Sequence, residues 1–268
     1  MSEEDSSMAA LTSALAKRDE AIAAHEALRR SEGFKVASGR SVGLASDYAL
    51  GLRALSAMSM RWDGFRQTRL NLRSHDLLLE SAFSIQWLIQ EGMLNPARRE
   101  MRFLLEASIK AWWCDSCQPN GEVAAKLEIL DDLGASRFRD IVASIEPRLL
   151  DQTAKDEFLH IVTNLYARLS TNVHASTGGI GVALRRFERG RYVGFESVAD
   201  VNEANELFAQ VLDVSLAAAF ESFEEGLVGD IFVVVLDDAK WKFRKTPFVG
   251  GILRHFDYKF ERHEEPGA

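Results

Sequence analysis

PARREMRFLLEASIKAWWCD, residues 96–115, is the stretch on which the fold turns. Its apolar side chains Met101, Leu104, Leu105, Ile109 and Trp112 recur three and four apart, the repeat of one α-helical face. Arg98, Arg102, Glu106 and Lys110 form a second stripe, four apart. Pro96 suits the first helical turn, where its missing N–H would find no partner anyway. Gln118-Pro119-Asn120-Gly121 stops the helix.

Upstream, the pattern predicts a helix from Gly64 to Glu91, with Leu70, Leu77, Leu78, Phe83, Ile85, Leu88 and Ile89 as core candidates. Another is expected from Val42 to Arg61. Residues 4–31 are rich in Ala, Glu, Lys and Arg and predict an N-terminal helix closed by Gly33 and Ser38-Gly39. With no dense apolar face, it reads as a peripheral arm or an oligomer contact. Downstream, short helices are expected at 122–133 and 135–145. A longer one covers 152–174, with Phe158, Val162, Leu165 and Leu169 on one face. Asp200 with Glu203 resembles a capping box. It opens a helix to Glu225 that turns Phe208, Val211, Leu212, Phe220 and Phe223 inward. Val182–Phe187 and Arg191–Phe195, around Glu188-Arg189-Gly190, predict a small β-hairpin. Ile231–Leu236 fits a buried strand or a short helix. The expected fold is therefore mainly α, a bundle of long helices with a small β element after residue 180. Residues 1–38 form its arm, 39–228 the bundle domain and 229–268 a C-terminal appendix.

The composition agrees. Of 268 residues, 47% are hydrophobic and 27% charged, as in a folded chain with a sizeable core. Five prolines favour long helices over a sandwich with frequent turns. The 32 Lys+Arg against 40 Asp+Glu give a net charge of −8 and exclude a uniformly basic, nucleic-acid-coating surface. The charge is segregated, since residues 200–238 carry ten acids and neither Lys nor Arg. No secretory signal is visible. The apolar runs Leu216–Phe220 and Ile231–Leu236 are too short to span a bilayer, so a cytoplasmic protein without a membrane partner is expected.

Several segments could carry chemistry. Cys114 and Cys117 have redox or half-zinc spacing, but a helix C-terminus disfavours thiolate and no other cysteine exists. Two ordinary semi-buried cysteines, and neither metal nor cofactor, are expected. Gly178-Gly179-Ile180-Gly181 spells no phosphate-binding fingerprint. Three basic segments bear on nucleic acid: Arg61, Arg66, Arg69 and Arg73; Arg185, Arg186, Arg189 and Arg191; and Lys240, Lys242, Arg244 and Lys245 around Trp241 and Phe243. Trp62, Trp87, Trp112 and Trp113 would be core, or else would line a small-molecule pocket. The most informative phrase is Arg168-Leu-Ser-Thr-Asn-Val-His174, at a predicted helix end before the glycines. Arginine holds phosphate by a bidentate contact, and histidine exchanges a proton near neutral pH. Together they could cleave RNA without a metal. Six helical residues separate the two side chains by about 120°, so the backbone must leave the ideal helix, Arg168 must curl round, or two chains must share the site.

An arginine, a short gap and a histidine at a helix end in an all-helical chain resemble the HEPN superfamily, over roughly residues 64–225. Tyr166-Ala-Arg-Leu-Ser-Thr-Asn-Val-His174-Ala-Ser176, after a helix with Arg102-Phe-Leu-Leu-Glu106-Ala, also looks like a poorly characterised helical subgroup. The resemblance implies a helical bundle, commonly a homodimer, and in many members a metal-independent ribonuclease of toxin, antiphage defence or stress systems. It implies RNA as substrate and, in such systems, a cognate regulator as partner. Carried across, Arg168 binds phosphate and His174 is the general acid/base. Tyr166, Ser170, Arg102 and Glu106 support them, Arg102 and Glu106 by orienting them or tying helices together. Catalytic members usually place a polar residue after the arginine, and here it is Leu169. The alternative is a non-catalytic, HEPN-like binding or regulatory protein.

Overall fold

The computed structural model describes residues 3–61, 64–133, 138–171, 180–181, 184 and 196–257. Its helices are α1 (Glu3–Arg30), α2 (Glu32–Ser59), α3 (Phe65–Thr68), α4 (Leu70–Arg73), α5 (His75–Gln90), α6 (Leu94–Cys117), α7 (Val123–Leu133), α8 (Phe138–Ser144), α9 (Gln152–Ser170), α10 (Val198–Glu221), α11 (Glu225–Val234) and α12 (Val249–His255). A 3-10 turn covers Lys242–Lys245. No strand occurs among the described residues. The hairpin expected at Val182–Phe187 and Arg191–Phe195 lies almost wholly outside them, as do the glycines 178–179.

The middle of the bundle belongs to α10. Every residue from Val211 to Glu221 is buried, which marks a helix enclosed on all sides. Its small residues Ser215, Ala217, Ala218 and Ala219 allow that, because neighbours approach the backbone closely. The helices α2 and α6 flank it, α5 packs on both of them, and α9 closes over α6. Gly51 on α2 marks a close approach to α10, since a Cβ there would meet Leu216 at 2.9 Å. Where the three long helices meet, Ser215 Oγ lies 2.7 Å from both Tyr48 Oη and Ser108 Oγ. The same core holds Trp112, Phe158, Phe208, Phe220 and Phe232, each no more than 1% exposed. Each such side chain contributes about 1.5–3 kcal/mol by leaving water.

Several boundaries differ from the sequence pattern. Gly33 and Gly39 lie inside α2 and do not end α1. Ser31 makes the junction, its hydroxyl accepting from Phe34 N at 3.3 Å. The long helix expected from Gly64 to Glu91 is three pieces, broken at Arg69 and Ser74. The capping box is Ser197 with Asp200, one turn earlier than Asp200 with Glu203. Ile231–Val234 is the end of α11, so the helical alternative holds there. In the described part of the C-terminal segment, Trp241, Phe243, Phe248 and Phe256 all enter the core.

Three buried carboxylates tie the irregular segments to the long helices. Asp115 accepts from Leu70 N at 2.8 Å and Asn71 N at 2.9 Å. Glu221 accepts from Arg148 N and Leu149 N, both at 2.8 Å. Asp213 accepts from Phe248 N at 3.1 Å, Val249 N at 3.0 Å and the Thr246 hydroxyl at 2.5 Å. Asp115 also pairs with Lys126 Nζ at 2.7 Å, and both side chains are fully enclosed. Lys126 donates in addition to Thr68 O.

Two outcomes follow from this wiring. Asp115→Ala leaves the Lys126 ammonium enclosed without its counter-charge, which should cost about 3–5 kcal/mol and lower the urea midpoint accordingly. A shift no larger than that of a surface substitution would contradict the enclosure. Burial pushes the Asp213 carboxyl up from 3.8 to about 6. The folded chain therefore holds that proton more tightly than the unfolded chain. The resulting stability is present in full below the unfolded value and is lost as pH rises through 6. Asp213→Asn, which does not titrate, should be less stable at all pH and should lose this particular decline between pH 4 and 6.5 in thermal melts.

Candidate functional site

Helix α9 is capped by Asp151, whose carboxylate accepts from Ala154 N at 2.9 Å. Phe158, Val162, Leu165 and Leu169 are all buried, as their spacing predicts. That register fixes every other side chain of the helix. Tyr166 and Arg168, two residues apart, leave the axis about 200° from one another.

Tyr166 turns towards α6 and α8. Its ring stacks on Phe138 with centroids 4.2 Å apart. Its hydroxyl accepts from Arg102 Nη2 at 2.8 Å, and the Arg102 guanidinium carbon lies 4.7 Å from the ring centre. The polar stripe of α6 then continues along the helix. Arg102 Nε is 3.9 Å from Glu106 Oε2, and Lys110 Nζ is 2.7 Å from Glu106 Oε1. Arg98 reaches Glu203 on α10 at 3.6 Å. Ser170 lies one turn beyond Tyr166, and its hydroxyl donates to Tyr166 O at 2.5 Å. Four of the predicted residues, Arg102, Glu106, Tyr166 and Ser170, thus gather on one side of α9. The chemistry of that group is cohesion: charge-assisted hydrogen bonding and stacking that lock α9 to α6 and α8.

Arg168 belongs elsewhere. It is exposed and stands at the mouth of a hollow of about 420 Å³, lined by Ile161, Asn164, Leu165, Ala167 and Gln210. Ile161 and Gln210 continue into a second hollow of about 260 Å³ that ends at Asp213, Thr246 and Phe248. Joined through these two residues, the hollows make a groove between α9 and α10 whose lining mixes apolar side chains with the Asn164 and Gln210 amides and, in the second hollow, the Glu157 and Asp213 carboxylates. An arginine beside amides and apolar side chains can take a phosphate and a flat ring together. His174 lies outside the described residues.

The other sequence candidates separate clearly. Trp112 is core, Trp87 is 70% exposed on α5, and Trp113 donates to Ser144 Oγ at 3.0 Å. Trp62 lies outside the described residues. Cys114 is buried, and burial first, then Asp115, pushes its thiol up to about 12. Cys117 is exposed, and desolvation raises its thiol as well. No cluster of three metal-ligating side chains occurs among the described residues. Two of the basic segments carry internal pairs: Arg69 meets Glu224 and Pro119 O, Lys242 lies 3.3 Å from Asp47, and Arg244 lies 2.7 Å from Asp237. The third, Arg185–Arg191, lies outside the described residues.

Sequence reasoning missed Asn164 and Gln210, which belong to no motif and meet only once α9 and α10 pack. It also missed a cleft of about 400 Å³ between the ends of α6 and α10, lined by Arg69, Trp113, Cys117, Arg148 and Phe223. Arg148 Nη2 donates there to Glu221 O at 2.7 Å and Phe223 O at 2.9 Å. No helix among the described residues is long and apolar enough to cross a membrane. Comparison with family models, with curated proteins and with solved structures finds no match for this chain.

The two faces of α9 should separate in mutagenesis. Tyr166→Phe removes the acceptor of a charged donor and should cost about 1–3 kcal/mol in chemical denaturation. Arg168→Ala should leave the unfolding midpoint unchanged. Equal losses from the two substitutions would refute the assignment of faces.

Proposed function

We propose that this chain is a metal-independent endoribonuclease of a defence, toxin or stress system, with Arg168 binding the scissile phosphate and His174 acting as general acid/base. The observation that supports it most is the position of Arg168. It is exposed at the mouth of the α9–α10 groove, on the face opposite the Arg102–Tyr166 network that holds the helices together. The resemblance of the Arg168–His174 phrase to the HEPN motif supplies the partner residue.

The chemistry needs only these two groups and the RNA. Neutral His174 takes the proton of a ribose 2′-hydroxyl. The 2′-oxygen attacks phosphorus, and Arg168 balances the charge that grows on the phosphoryl oxygens. The P–O5′ bond breaks, and the 5′-oxygen leaves with a proton from the histidinium or from solvent. The products are a 2′,3′-cyclic phosphate and a 5′-hydroxyl.

A second reading, a non-catalytic helical binding protein, draws on Leu169 and Ser170. Catalytic HEPN members usually carry a polar residue after the arginine. Here that position is fully buried core, and the next hydroxyl is committed to a backbone carbonyl. Incubation of the purified full chain with end-labelled structured and unstructured RNA in excess chelator discriminates. The ribonuclease reading expects cyclic-phosphate ends, lost at least a hundredfold in Arg168→Ala and in His174→Ala at unchanged melting temperature. Intact RNA whose binding to the chain weakens in Arg168→Ala supports the binding protein. Cleavage that survives both substitutions overturns the site.

A further inference from the structure

The two hollows between α9 and α10 carry opposite charges. Glu157 and Asp213 line the second, together with Ile161, Gln210 and Phe248. Arg168 and Asn164 line the first, and Ile161 and Gln210 belong to both. The second hollow measures about 260 Å³, just under the about 300–1,000 Å³ of pockets that enclose a whole small molecule. It therefore suits one ring system and not a complete nucleotide. Its wall is fixed, because Phe248 is 3% exposed and meets Phe158 edge to face with ring centroids 5.0 Å apart. Ile161 precedes Arg168 by seven helical residues, about 10 Å along the axis. A nucleotide spans such a distance from its base to its phosphate.

The polar groups left open in the second hollow decide which base fits. Asp213 is already occupied, since its two oxygens accept from Thr246 Oγ1, Phe248 N and Val249 N. Glu157 and Gln210 are exposed, and among the described residues neither has a hydrogen-bond or ion-pair partner. A carboxylate only accepts, through two oxygens side by side, whereas an amide also donates. Guanine presents two adjacent donors, N1–H and the 2-amino group, followed by the O6 acceptor. The donors match the two oxygens of Glu157, and O6 matches the amide N–H of Gln210. Adenine sets its N1 lone pair against the carboxylate. Cytosine sets N3 and O2 against it, and uracil offers one N–H between two carbonyls. Proteins commonly read an unstacked base along this edge while apolar side chains hold its faces. The phosphate then lies at Arg168, where a guanidinium holds it by paired hydrogen bonds. Opposite charges in the two hollows leave the ligand one orientation.

We propose that the α9–α10 groove is a guanine-nucleotide site, with the base held by Glu157 and Gln210 and the phosphate by Arg168. The proposal rests on the reading of Arg168 as the phosphate-binding residue, and it adds the base that this reading leaves open. In an RNA strand it makes guanosine the nucleotide bound beside the phosphate at Arg168. A free guanine mononucleotide offers the same two groups.

Calorimetric titration of the full chain with the four ribonucleoside 5′-monophosphates, and with the uncleavable 2′-O-methyl pentanucleotides UUGUU and UUAUU, tests it. The guanine ligands should bind roughly tenfold or more tightly than the others. Glu157→Gln, at an exposed position, should remove that preference at an unchanged melting temperature, because an amide offers one acceptor where guanine needs two. Arg168→Ala should weaken every ligand and keep the order of the bases. A pentanucleotide that binds more tightly than the guanine mononucleotide assigns the site to RNA, and equal affinities assign it to the free nucleotide. Equal binding of all four bases, a guanine preference that survives Glu157→Gln, or no binding of any ligand overturns the proposal. The ribonuclease reading fails separately. Guanine binding with every RNA left intact refutes cleavage alone, and cleavage beside all four bases at equal rates refutes the guanine site alone.

Discussion

A buried carboxylate that accepts from two successive backbone N–H groups is the interaction on which this structure depends. It occurs at Asp115 on α6 and at Asp213 and Glu221 on α10. Two of the three, Asp115 and Asp213, serve helix termini that lack caps of their own. Neither Arg69 before α4 nor Phe248 before α12 supplies a side-chain cap. Unpaired N–H groups buried there would each cost about 1–3 kcal/mol, and the long helices supply the missing acceptors. Burial raises the proton affinity of all three carboxyls, and the N–H groups pull it back down. The clamps therefore hold an unfavourable charge in place through the geometry of the core around it.

That geometry reaches the candidate site. Glu221 fixes Arg148 and Leu149 just before α9 begins at Gln152, and Arg148 grips the end of α10 in return. Helix α9 thus starts from a position set by α10. Its apolar stripe then sets its rotation, so that Tyr166 meets Arg102 while Arg168 meets the groove. The separation of an architectural face from an open face is a consequence of one helical register and needs no special arrangement at either residue.

The helices were legible because their apolar repeats are strong: α6, α9 and α10 lie where spacing put them, within a few residues. Boundaries failed where a distant group overrode local signals. Gly33 and Gly39 look like stops, yet Ser31 caps α2 and packing carries the helix through both. Arg69 looks like a helical residue, yet Asp115, accepting from Leu70 N across 45 residues, starts α4 afresh while Arg69 stays extended. The Arg102–Glu106–Lys110 stripe was readable from its spacing of four, and the partner on Tyr166 was not, because no local pattern announces a contact across 64 residues. The groove was unreadable for the same reason, since Asn164 and Gln210 mean nothing until α9 and α10 lie side by side.

Charge shows most clearly how folding alters a sequence property. The acidic block at 200–238 suggests a negative surface near any site built on α10. Two of its ten acids, Asp213 and Glu221, point inward and serve backbone N–H groups. Two others, Glu224 and Asp237, meet Arg69 and Arg244. Three of the basic residues, Arg69, Lys242 and Arg244, answer Glu224, Asp47 and Asp237. The charged side chains that line the two hollows between α9 and α10 are Glu157, Asp213 and Arg168. The net charge of −8 says little about that set. The local balance beside Arg168, which stands at the negative end of the α9 dipole, is set by the few charges on these two helices.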